Sequence, residues 1–91
     1  MMKMARVKIV YKILPRDIEV DLNDIITKIK RNLGGEIEVG RFKFEPIAFG
    51  LQAILIELTA PEKDGITDEI ENNIKRIESI GEVEMMYQSR M

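Results

Sequence analysis

The chain has 91 residues, a net charge of −2, 33% charged residues, and no cysteine, histidine or tryptophan. The missing cysteine excludes disulfides and thiolate metal sites, and the missing histidine removes the commonest general base and metal ligand. Nearly balanced charge argues against electrostatic wrapping of nucleic acid, and no apolar run approaches the ~20 residues of a membrane span.

The opening Met1-Met2-Lys3-Met4-Ala5-Arg6 lacks a signal-peptide apolar stretch, so a soluble, cytoplasmic protein is expected. Abundant Ile, Lys and Glu beside absent Cys suit a thermophile. Arg6 to Leu14 alternates, with Val7, Ile9, Tyr11 and Ile13 on one side and Arg6, Lys8, Val10 and Lys12 on the other, which predicts a strand. Pro15-Arg16-Asp17 breaks it. Asp21 reads as an N-cap, and Leu22, Ile25, Ile26, Ile29 and Leu33 then share one helical face. Lys28, Lys30 and Arg31 gather where the helix dipole favours cations, and Gly34-Gly35 stops the helix.

A second strand is expected from Ile37 to Phe44. Ile37 and Val39 share one parity and Phe42 and Phe44 the other, so a bulge is expected at Gly40. A third strand runs from Leu51 to Thr59, and Pro61-Glu62-Lys63-Asp64-Gly65 is a turn. Thr67 reads as the N-cap of a second helix carrying Ile70, Ile74 and Ile77, which Gly81 ends. Val83, Met85 and Tyr87 alternate in a final strand reaching almost to Met91. The order β-α-β-β-α-β is the split-βαβ, ferredoxin-like signature: an α+β fold with a four-stranded antiparallel sheet and two helices on one face, in a single domain over residues 1–91.

One sheet face is then left open. Lys8, Val10 and Lys12 of the first strand and Leu51, Ala53 and Leu55 of the third would give it a small apolar centre with basic residues beside it. Such a patch is either tolerated on a central strand or is a docking or homo-oligomer surface. Between the second and third strands, Glu45-Pro46-Ile47-Ala48-Phe49-Gly50-Leu51 reads as an ordered loop. Pro46 stops a strand and Gly50 permits a sharp turn. A loop this apolar is unusual. Phe49 either folds back into the core, the reading that composition favours, or is presented to a partner. The closing Gln88-Ser89-Arg90-Met91 is either a frayed end, again favoured by composition, or is held beside the sheet edge so that its cation can be aimed.

Little here suits covalent chemistry, and no catalytic residue, metal site or cofactor is expected. Asp17, Glu19, Asp21 and Asp24 lack the glycine of a calcium loop and read as a solvated loop plus a helix cap. Glu69, Glu71 and Glu78 read as a solvated helix face. Gly34-Gly35 follows a helix and is a C-cap, not a phosphate cradle, and neither Ser79 nor Ser89 has a base in a recognisable arrangement. Phe42 and Phe44 alternate with Arg41 and Lys43, a pattern able to stack RNA bases. RNA-binding modules of this topology, however, need aromatics on both central strands, and the third strand has none.

The Glu45-Pro46-Ile47-Ala48-Phe49-Gly50-Leu51 segment, the element order and an end placed straight after the last strand resemble the translation elongation factor 1-beta family, over nearly all of the chain. The resemblance is to the short archaeal form, which is the exchange-factor domain alone. Eukaryotic forms carry extra N-terminal domains and an acidic signature that this chain lacks. It implies a guanine-nucleotide exchange factor that promotes GDP release, and reloading with GTP, on elongation factor 1-alpha. This action is non-covalent. The implied partner contacts are Pro46, Phe49 and Gly50 in the loop and Tyr87, Gln88, Ser89, Arg90 and Met91 at the end, with the open sheet face as a further candidate. In eukaryotic relatives a C-terminal lysine enters the magnesium site of the GTPase. Here that position falls near Gln88 counted from the last strand, and the only cation near the end is Arg90, whose planar guanidinium is not a simple replacement. No membrane contact and no direct nucleic-acid contact are expected, and the protein would be a monomer or weak homo-oligomer. The rival functions for this topology are a small-molecule-binding regulatory module, which would dimerise stably, and an RNA-binding module.

Overall fold

In the computed structural model, which describes residues 5–91, the elements run β1 (Arg6–Pro15), α1 (Leu22–Asn32), β2 (Glu38–Ala48), β3 (Leu51–Pro61), α2 (Ile66–Lys75) and β4 (Ile80–Arg90). The first four residues of the stretch read for a signal peptide lie outside the described residues. The strands form one sheet in the order β2-β3-β1-β4, with every neighbouring pair antiparallel. This is the ferredoxin-like α+β arrangement expected from the element order.

The core follows from strand parity. Val7, Ile9, Tyr11 and Ile13 of β1 lie opposite Ala60, Leu58, Ile56 and Ile54 of β3, and all eight are buried. Ile25, Ile26 and Ile29 of α1 and Ile66, Ile70 and Ile74 of α2 close over that face. Both helices therefore pack on one side of the sheet, where burying each aliphatic side chain stabilises by about 1.5–3 kcal/mol. Asp21 caps α1 as expected, its Oδ1 accepting from the Asn23 N–H at 2.9 Å. The bulge expected near Gly40 is present as a register shift between Val39 and Phe42. A Cβ on Gly40 would lie 3.2 Å from the Glu57 carbonyl oxygen. The shift returns Val39, Phe42 and Phe44 to one face, opposite the buried Leu58, Ile56 and Ile54.

Several boundaries differ from expectation. β2 does not stop near Pro46 but runs through it to Ala48. It is an edge strand, where a residue without an N–H donor is tolerated. The α2 N-cap is Gly65 in the left-handed region (φ 78°), not Thr67, which lies within the helix. α2 ends at Lys75, and Gly81 lies within β4. A Cβ on Gly81 would approach the Pro15 carbonyl oxygen to 3.1 Å and Arg16 Cα to 3.3 Å, so this glycine serves a close backbone approach and does not end the helix. The α1 C-cap is Leu33 in extended conformation, and Gly34-Gly35 follow it without left-handed geometry.

Candidate functional site

At one end of the sheet, β2 and β3 are joined by a turn of only two residues, Phe49 and Gly50, with Ala48 opposite Leu51. Phe49 has φ 53° and Gly50 φ 80°, the left-handed pair that a tight hairpin turn of type I′ requires. The expected seven-residue loop is thus mostly strand. Phe49 is 99% exposed, so the core-plug reading is overturned. A non-glycine residue in the left-handed region costs about 1–2 kcal/mol, and here it holds an aromatic ring clear of the protein.

A second apolar side chain lies beside this turn. Ile18, in the β1–α1 loop, is 64% exposed. Pro15, Ile18, Val20, Leu22, Gly50 and Leu51 line a cavity of about 150 Å³ between that loop and the hairpin. The loop is tied locally: Asp17 Oδ1 accepts from the Glu19 N–H at 2.9 Å, and the Arg16 N–H donates to the Ser79 carbonyl at 2.7 Å. Sequence reasoning missed Ile18, whose only signal is one apolar residue inside Arg16-Asp17-Ile18-Glu19.

At the opposite end, β4 carries a bulge that its alternation hid. Tyr11 lies opposite Met85 but Val10 lies opposite Tyr87, so Met86 has no counterpart. The slip moves Tyr87 to the open face and places Gln88 opposite Ile9, Ser89 opposite Lys8 and Arg90 opposite Val7. The Met91 N–H donates to the Arg6 carbonyl at 3.0 Å, so this segment is paired and not frayed. Arg90 Nε donates to Glu62 Oε2 at 2.5 Å, and that bond and the carboxylate charge raise the guanidinium pKa above its ordinary value.

The open face joins the two ends. Val10, Leu55 and Tyr87 form its apolar centre, and Val10 and Leu55 line a groove of about 340 Å³ bordered by Arg41, Lys43 and Glu57. Its charge is mixed rather than basic: Lys8 lies 4.0 Å from Glu57, and Lys12 is opposite Glu84. Phe42 and Phe44, with ring centroids 5.9 Å apart, lie on edge strand β2, and the aromatic of central strand β1, Tyr11, is buried. The central-strand stacking platform of RNA-binding modules is therefore not formed. Among the described residues no three acidic side chains come together to hold a metal ion, and no helix is long and apolar enough to cross a membrane.

The expected contact residues therefore fall into two groups, one at each end of a molecule 50 × 20 × 18 Å in extent. Pro46, Phe49 and Gly50 lie at the hairpin end, and Gln88, Ser89, Arg90 and Met91 at the other, with Tyr87 next to the second group on the open face, opposite Val10. The length of β1, ~30 Å at about 3.3 Å per residue, separates them.

A family model described as the EF-1 guanine nucleotide exchange domain matches residues 8–91. Elongation factor 1-beta of Aeropyrum pernix is 40% identical over 89 residues, which cover 97% of this chain and 99% of that protein. Elongation factor 1-beta of Staphylothermus marinus is 37% identical over 83 residues, covering 90% and 92%. The de novo designed protein Foldit4 is similar in fold, with a TM-score of 0.50, 20% identity and coverage of 96% of this chain and 97% of its own. With a family model matched over residues 8–91 and relatives of 37–40% identity over most of both chains, the chain belongs to the EF-1 guanine nucleotide exchange domain family.

Proposed function

We propose that this chain promotes release of GDP from elongation factor 1-alpha, and its reloading with GTP, by non-covalent contact at both ends of its sheet. Phe49, with Pro46 and Gly50 shaping its turn, anchors the hairpin end. The segment Tyr87-Gln88-Ser89-Arg90-Met91 contacts the GTPase from the other end. Family membership supports the exchange activity. The observation that carries the hairpin contact is Phe49 itself, 99% exposed on a left-handed backbone. Aromatic side chains, phenylalanine among them, are enriched at protein interfaces relative to the rest of the surface.

The mechanism follows from linkage. A protein that binds the nucleotide-free GTPase more tightly than the GDP-bound form must weaken GDP binding by the same factor. Two anchors about 30 Å apart resist tilting better than one, so they can favour one arrangement of the GTPase over another. The cation available at the tail is Arg90, because Gln88 is uncharged and lies within the sheet pairing. The test is release of fluorescent GDP from purified elongation factor 1-alpha with substoichiometric amounts of this protein. Multiple turnovers of accelerated release support the proposal; an unchanged rate with fully loaded GTPase refutes it.

A further inference from the structure

The Arg90–Glu62 pair joins elements that are not neighbours in the sheet. Glu62 follows β3, Arg90 ends β4, and β1 runs between those strands. Both partners are pinned through their backbones to the same stretch of chain. The Glu62 N–H donates to the Ala5 carbonyl at 2.8 Å, and the Met91 N–H, next to Arg90, donates to the Arg6 carbonyl at 3.0 Å. Arg90 lies opposite Val7, whose side chain is buried on the helix-covered face. The contact to Glu62 uses Nε alone. A guanidinium presents its donors as a rigid planar fork, so holding Nε fixes the direction of both terminal amino groups. Among the described residues those amino groups have no hydrogen-bond partner. Two other cations at this end, among the described residues, are engaged differently. Arg6 Nη2 donates to the Glu36 and Thr59 carbonyls, and the Lys63 ammonium is held by Glu36 at 3.1 Å.

A bridge of this kind contributes little to stability, because Arg90 is mostly exposed and solvent screens the pair. Its consequence is geometric. We infer that Glu62 is a positioning residue for Arg90: it grips the guanidinium by Nε and leaves the terminal amino edge to receive an anionic group, carboxylate or phosphate, of the GTPase–nucleotide complex. This rests on the exchange-factor reading. Glu62 also sets the orientation in which a guanidinium at this end meets its target.

The experiment measures stimulated GDP release by Glu62→Ala, Arg90→Ala, the double variant and the charge swap Glu62→Arg/Arg90→Glu, with Phe49→Ala and wild type in parallel. Melting temperatures are recorded for all. Arg90→Ala should lower kcat/KM by about tenfold, as truncating a charge-assisted contact does. Glu62→Ala should lower kcat about threefold to tenfold with KM within about twofold, and the double variant should be no worse than Arg90→Ala, since the two residues act as one unit. The swap rebuilds the bridge with the guanidinium on the other strand end, so exchange should stay low, while its melting temperature, like those of the single variants, should stay close to wild type. Exchange restored by the swap, or full activity of Glu62→Ala, overturns the inference and makes the bridge merely structural. No acceleration by wild type instead removes the exchange-factor reading itself, a separate outcome from any failure confined to Glu62.

Discussion

Phe49 and Arg90 stand at opposite ends of one sheet: Phe49 heads the turn in which Ala48 faces Leu51, and Arg90 faces Val7 at the far end of β1. A partner touching both must extend along the length of the domain. Independent contacts so far apart should contribute independently, since substitutions more than about 10 Å apart without shared partners usually add. The losses in log kcat/KM for Phe49→Ala and Arg90→Ala should therefore sum in the double variant. A double variant no worse than the poorer single one would show that the two ends are not independent contacts.

Replacing Phe49 separates stability from activity. The side chain buries nothing, so Phe49→Ala should shift stability by no more than about 0.5 kcal/mol while weakening exchange. Phe49→Gly relieves the left-handed backbone and should stabilise by about 0.5–1 kcal/mol in urea unfolding, with exchange lost to the same extent as in Phe49→Ala. Unchanged exchange in both variants would mean that the ring is not an anchor.

Gly81 and Gly34 give opposite expectations. A methyl group at Gly81 meets two backbone atoms of Pro15 and Arg16 that cannot rotate away, so Gly81→Ala should destabilise by about 1–3 kcal/mol. At Gly34 nothing lies within 4 Å and φ is not left-handed, so Gly34→Ala should be neutral or stabilise by up to about 1 kcal/mol. Equal denaturation midpoints for the two variants would contradict the close approach between β4 and the end of β1.

Tyr11 should make the fold sensitive to alkali. Its hydroxyl donates to Glu71 Oε2 at 3.3 Å, and burial, then the Glu71 charge, push its pKa well above the ordinary 10.0. The folded state keeps a proton that the unfolded state releases. The stability is thus fully present below pH 10 and is lost as pH rises above it, by up to about 1.4 kcal/mol per pH unit. Tyr11→Phe should cost about 1 kcal/mol at neutral pH through the lost hydrogen bond, yet flatten this alkaline decline. Parallel declines for wild type and variant above pH 10 would exclude Tyr11 as the cause.

What could be read in the sequence depended on whether the governing contact was local. The Gly40 bulge was legible because Val39 and Phe42 are apolar residues of opposite parity. The bulge at Met86 was not, because Val83, Met85 and Tyr87 keep an unbroken alternation although the pairing slips between Met85 and Tyr87. Pro46 reads as a strand end unless β2 is known to be an edge strand, and sheet order is not a local property. Gly81 likewise looks like a helix stop until Pro15 is seen against it. Of the candidate site, the residue types were legible, but the exposure of Phe49, the grip of Glu62 on Arg90 and the place of Ile18 needed three dimensions.

Ile18 extends the apolar surface displayed at the hairpin end. It is 64% exposed in a loop tied by the Asp17–Glu19 and Arg16–Ser79 hydrogen bonds, and it shares a cavity of about 150 Å³ with Gly50 and Leu51. An exposed apolar side chain next to Gly50 and Leu51 widens the surface that a partner can cover at this end, and covering it wholly is worth at most about 1.5–3 kcal/mol. Ile18→Ser should leave the melting temperature within about 2 °C of wild type, because a mostly exposed side chain gives up little buried area. It should raise the KM for the GTPase by about threefold to tenfold, since half or less of that burial is expected at an interface rim. Combined with Phe49→Ala its effect should be less than additive, because both residues serve one contact, whereas with Arg90→Ala it should add in full. An Ile18→Ser variant with wild-type KM would confine the contact to the two-residue turn, and then the ring of Phe49 alone must supply the affinity at that end.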